Sequence, residues 1–182
     1  MTDEELQAGA QRAFSELYIS LGRCTCQLQF LEYALTRLLA AISVADKIGD
    51  DVSARSELLD IALQGLTRKT LGQLVGEMQA LSASHYSPLD NDFCEQLRQF
   101  NKRRIWAIHS CTDEIDENIV DNDTRHSLCQ SIDNITFEAG QLQERTTNLM
   151  ADFLSRQGVE VDAARQRANS RIAVAMGVDF ET

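Results

Sequence analysis

A chain of 182 residues with a formal net charge of −11, one proline and nine glycines is long enough to bury a core. It has too few turn formers for a strand-rich fold. The negative charge disfavours tight non-specific nucleic-acid binding, which depends on neutralising phosphates, so any RNA chemistry must use a local basic site.

The first helix is expected from Thr2, where Thr2-Asp3-Glu4-Glu5 fits a capping box. Phe14, Leu17, Leu21, Cys24, Leu28, Leu31, Leu35, Leu38 and Ile42 follow at alternating spacings of three and four, the seam of a helix packed lengthwise on others. At about 1.5 Å per residue that seam runs roughly 43 Å. The pattern stops at Lys47-Ile48-Gly49-Asp50-Asp51, and a short helix around Glu57 to Leu63 comes next. A second strong helix opens with a capping box at Thr70-Leu71-Gly72-Gln73 and places Leu71, Leu74, Val75, Met78 and Leu81 on one face. After a loop at 82–87, Ser87 is expected to cap a third helix with Pro88 at its first position. That helix carries Phe93, Leu97, Phe100, Ala107, Ile108, Cys111 and Ile115. A polar break at Asp121-Asn122-Asp123 precedes a fourth helix with Leu128, Ile132, Ile135, Ala139, Leu142, Thr146, Leu149 and Phe153, stopped by Gly158. The expectation is an all-α antiparallel bundle of four long helices plus a short helix over residues 1–158. Residues 159–182, Ala- and Arg-rich and short of large apolar groups, are expected to form a C-terminal helical appendage.

No uninterrupted run of about 18 apolar residues occurs, and the acidic N-terminus lacks the regions of a signal peptide, so a soluble, cytoplasmic chain without a membrane partner is expected. The five cysteines, Cys24, Cys26, Cys94, Cys111 and Cys129, are odd in number and contain no CxxC pair. They read as small buried hydrophobes in a reducing compartment. Cys24 and Cys26 point about 200° apart on a helix, poor geometry for one ion.

On a wheel of about 100° per residue, Arg104 falls in the middle of the third helix's apolar stripe. A guanidinium there needs a partner or a wet cleft. One reading is a structural arginine paired with a buried carboxylate, Glu32 of the first helix. Ile105, Trp106 and His109 lie on the opposite side of the same helix, and a helix apolar on two sides is buried between two things. A second copy of the chain is the expected second surface, with Ile105 and Trp106 at the dimer interface.

Arg104-Ile105-Trp106-Ala107-Ile108-His109 is an R-x4-H sequence within an amphipathic helix of a bundle. It resembles the R-x4-6-H motif of the HEPN superfamily, whose members include metal-independent ribonucleases of toxin and antiviral systems. The order of segments from residue 15 to 155, with Glu32 in the first helix and Leu66 to Leu74 before the motif, is similar to small stand-alone HEPN proteins. The resemblance implies a homodimer acting on RNA without metal or other cofactor, and not on DNA, with an antitoxin or another protein as a further partner. It implies Arg104 and His109 as the catalytic pair, with Asn101, Lys102 and Arg103 supporting them; Arg103 also gives an x5 spacing to His109.

The chemistry suits those residue types. Attack of an RNA 2′-OH on its own phosphate needs a proton acceptor that titrates near neutrality, which histidine supplies, and positive charge on the phosphorane, which arginine supplies. On an unbroken helix Arg104 and His109 diverge by about 140°, so a two-fold axis must combine residues of two copies in one cleft. The acidic charge, and Ile105 where members often carry a polar residue, favour a competing reading: a non-catalytic dimeric module that binds a protein partner or a nucleotide. His85 and His126 have no neighbours at metal-ligand spacing, no phosphate-binding glycine loop is present, and Asp113, Glu114, Asp116 and Glu117 read as a solvated helix end.

Overall fold

A computed structural model describes residues 3–48, 55–82, 87–111 and 121–158, and among them no strand occurs. The first helix, α1, spans Asp3–Ile48 and is 46 residues long. Two short helices follow, α2 at Arg55–Leu66 and α3 at Leu71–Ser82. Helix α4, Asn91–Ile105, runs directly into a π-helical turn at Trp106–Ser110. The last described helix, α5, spans Asn122–Arg156 and is 35 residues long. The fold is all-α, as expected. Length is not evenly shared, however: α1 and α5 are long, whereas the helix expected from Thr70 ends after twelve residues. The Thr2 cap, the region of His85, the acidic run from Asp113 with Ile115, and residues 159–182 lie outside the described residues.

The central seam corrects the antiparallel expectation. Glu16 pairs with Arg125 at 3.4 Å, Ser20 meets Cys129, Cys24 meets Thr136, and the Gln27 amide donates to Gln143 at 2.8 Å. Both numbers rise together, so α1 and α5 are parallel. Helix α4 opposes α5: Arg103 pairs with Glu138, while Arg145, further along α5, reaches back to Asp90 and Asp92 at the start of α4.

The periodicity that forms these helices also fills the core. Leu17, Cys24, Leu28, Leu31, Leu35, Leu38 and Ile42 of α1 are buried against Leu128, Ile132, Ile135, Ala139, Leu142 and Phe153 of α5 and against Phe93, Leu97 and Phe100 of α4. Each large side chain so buried contributes about 1.5–3 kcal/mol. Thr146 is fully buried in this seam, its hydroxyl satisfied by the Leu142 carbonyl at 2.7 Å. Phe14 departs from the expected stripe: it is 38% exposed and stacks on Tyr18. Residues Phe14–Lys47 of α1 are long and apolar enough, by length and composition, to cross a membrane, although interrupted by polar residues. More than half of that stretch's most apolar window is buried against the other helices.

Local starts are set by side chains. At α3 the Gln73 carbonyl oxygen accepts from the Thr70 N–H at 2.9 Å, the half of the expected capping box that the structure forms. The start of α4 is corrected. Ser87 accepts from the Leu89 N–H at 3.2 Å in a non-helical segment, and the helix cap is Asp90, whose carboxylate accepts from the Phe93 N–H at 2.6 Å. An aspartate placed before three free N–H groups outcompetes a serine three residues earlier, and it also engages Arg145.

Candidate site at the end of α4

The last turn of α4 holds Lys102, Arg103 and Arg104, cations beside the negative end of the helix dipole. Neighbouring positions on a helix diverge, and the three take different surroundings. Lys102 is exposed. Arg103 turns to α5 and pairs with Glu138. Arg104 turns inward to α1 and α3, its side chain 15% exposed, with Nη1 3.9 Å from Glu32 Oε1.

Glu32 has a second task. The same Oε1 accepts from the Leu71 N–H at 2.9 Å, so the carboxylate caps the first turn of α3 while facing the guanidinium. The partner expected for Arg104 is therefore present, but its better hydrogen bond goes to the backbone. One turn before Arg104, Asn101 stands against Gly72 of α3: a β-carbon on Gly72 would lie 3.4 Å from the Asn101 side-chain nitrogen, at van der Waals contact. Two polar atoms here are buried without a hydrogen-bond partner, Asn101 Oδ1 and Arg104 Nε. Buried orphans of this kind call for a water, an ion or a ligand to complete them. Arg68 and Lys69 precede α3 within three residues of Leu71, so this corner concentrates positive charge in an acidic chain. Lys69 is joined to Glu77.

The helix does not continue regularly past Ile105. The Cys111 N–H bonds the Trp106 carbonyl at 2.9 Å, an i to i+5 bond that widens the turn. Each step then rotates by less than in an α-helix. His109, exposed within this turn, is brought round toward the side of Arg104 relative to an unbroken helix. Ala107 and Cys111 remain buried, while Ile108, expected in the core stripe, is 36% exposed.

Ile105 is 46% exposed, as a residue facing away from the core should be. Trp106 is not turned away. It packs partly buried against the core cluster and lines a groove of about 450 Å³ with Arg103, Ser131, Asn134, Ile135 and Glu138. A second hollow of about 360 Å³ continues past it along α5, through Asp123, Thr124, Ser127 and Ser131. Neither Arg104 nor His109 lines these grooves. One copy thus brings together Arg104, Asn101 and Glu32 and leaves His109 apart on the surface.

Among the described residues, no three His, Cys, Asp or Glu side chains are grouped to hold a metal ion. Cys24 and Cys111 are buried, as expected, but Cys26 is exposed. Burial pushes the thiols of Cys24, Cys94 and Cys129 above the ordinary range. Sequence reasoning placed Arg104 and Glu32 together. It missed the cap on α3, for which the glutamate at the edge of the α1 seam was the available signal, and the π turn, for which there was none. Compared with protein-family models, curated proteins and solved structures, the chain matches none of them.

Proposed function

We propose that this chain is a HEPN-like, metal-independent endoribonuclease acting as a cytoplasmic homodimer in a toxin or defence setting, with Arg104 and His109 as its catalytic pair. The observation that carries the reading is the state of Arg104. Its guanidinium is only loosely engaged by Glu32, its Nε–H donor lacks a partner, and the π turn that carries His109 is a feature frequent at functional sites. A phosphate oxygen would complete the arginine and an RNA 2′-OH would face the imidazole. Two copies joined along the exposed Ile105 side would supply the residues to a shared cleft. Lys102, Arg103 and Asn101 would hold flanking phosphates.

Wild-type protein is then expected to cut RNA in excess EDTA, leave 2′,3′-cyclic phosphate ends and spare DNA. His109→Ala should abolish cutting while the helical circular dichroism is unchanged, because the exposed imidazole supports no core contact. Activity that survives both His109→Ala and Arg104→Ala would place the chemistry elsewhere. A second reading, a non-catalytic dimeric module for a protein partner or nucleotide, is favoured by the Arg104–Glu32 ion pair and the net charge of −11. Absence of cutting by a folded dimer would select it.

A further inference from the structure

The two longest helices carry apolar groups on the side turned away from the core. Helix α1 meets α5 through Ser20, Cys24 and Gln27. Its core residues lie to one side of that line and Ile19, Phe30 and Tyr33 to the other, 53%, 58% and 57% exposed. Helix α5 meets α1 through Cys129, Thr136 and Gln143, with Ile132, Ile135 and Ala139 on the core side. Phe137, 69% exposed, lies on the opposite side, the same outer side as Phe30. Parallel register sets Phe137 within a turn of the level of Cys24 and Gln27, in the middle of the α1 stripe.

We propose that this outer α1–α5 face is where a second copy of the chain packs, α1 of one copy lying on α5 of the other. Area and charge argue for that occupant. Half-exposed aromatic and aliphatic groups contribute about 100 Å² each, so the patch reaches some 400 Å² per copy, within the range of the largest apolar patches on single chains, which are often functional. With a polar rim, two such patches approach the roughly 1,000 Å² that a specific interface needs. The exposed charges on the two outer sides differ in sign: that of α1 carries Arg12 and Arg23, that of α5 carries Asp123, Asp133 and Glu144. A two-fold axis running along the helices lays the arginines on the outer side of α1 against the carboxylates on the outer side of α5 twice over. The same register that pairs Glu16 with Arg125 within one copy sets Arg23 level with the partner's Asp133. Because α4 lies on the other side of the α1–α5 layer, this interface is separate from Ile105 and independent of the ribonuclease reading; both together would give an assembly larger than a dimer.

The test is the mass of the full chain in solution by light scattering, with circular dichroism to confirm folding. Phe30→Glu with Phe137→Glu should halve the assembly, and Ile105→Glu should leave this contact intact. Arg23→Asp and Asp133→Arg should each weaken association about tenfold, and an equimolar mixture of the two proteins should restore it, since each mutant aspartate then meets a mutant arginine across the interface. Wild-type protein with the same mass as the Phe30/Phe137 variant overturns the proposal, whatever else covers the face, residues 159–182 included. A mixture that restores nothing overturns the pairing of α1 with α5.

Discussion

Replacing Arg104 by alanine separates an arginine that holds the fold from one kept for a ligand. At 3.9 Å from Glu32 and an effective dielectric constant of about 20, the gross attraction is about 4 kcal/mol. Two costs oppose it. Withdrawing the ions from water costs several kcal/mol each when burial is complete, less here, where the side chains are 15% and 29% exposed. The unpartnered Nε adds about 1–3 kcal/mol that disappears with the side chain. The net loss for Arg104→Ala should therefore be about 1–2 kcal/mol, and Glu32 keeps its bond to the Leu71 N–H. Glu32→Ala removes that cap and strands Arg104 among apolar neighbours, and should cost about 3 kcal/mol or more. Urea unfolding followed by circular dichroism measures both, and in thermal melts each kcal/mol should lower Tm by about 2–4 °C for a chain of this size. A loss of about 4 kcal/mol for Arg104→Ala, or equal losses for both variants, would refute this reasoning and make Arg104 a structural ion.

The caps and thiols give two further expectations. Asp90→Ala removes both the Phe93 N–H acceptor and a partner of Arg145, so it should cost about 1–2 kcal/mol in urea unfolding, whereas Ser87→Ala should cost less than about 0.5 kcal/mol; equal costs would restore Ser87 as the cap. In native protein at pH 8, a thiol reagent followed by peptide mass spectrometry should modify Cys26 first and Cys24 only after unfolding, since Cys24 is buried and its raised pKa leaves less thiolate. Equal rates at the two positions would contradict the packing of α1.

The long helices were legible because their apolar residues repeat at three and four over many turns, and a seam of that length has few alternatives. From Leu17 to Ile42 only Leu21 falls short of full burial among the seam positions, and from Leu128 to Phe153 only Leu149 does. Direction was not legible. Periodicity says which face is buried but nothing about the sense of the neighbour, and the parallel pairing of α1 with α5 shows only in cross-helix contacts such as Glu16–Arg125 and Gln27–Gln143. The start of α4 was misplaced for a more local reason. Ser87-Pro88 carries the composition of a helix start, yet Asp90 competes three residues on with a charged acceptor and a second partner in Arg145, a tertiary contact that no local pattern contains.

The site shows the same division between what a wheel can carry and what it cannot. A cation in the middle of an apolar stripe is an energetic anomaly on any helix, so Arg104 and a nearby carboxylate could be inferred from position alone, and Glu32 fulfils that inference. The assignment of Trp106 to a face away from the core used a constant rotation per residue through position 109. Trp106 stands one turn after Arg103 on the flank that faces α5, and it lines the α4–α5 groove with it, so Ile105 alone of the two stays largely outside; the wide turn that begins at Trp106 displaces the residues after it. A π turn shifts the phase of the apolar pattern beyond it, but the stretch from Ala107 to Cys111 is too short for its sequence to disclose the shift. It also exchanges regular hydrogen bonding for a wider backbone ring, a cost the chain accepts between Arg104 and His109, the two residues whose relative orientation any two-copy cleft must set.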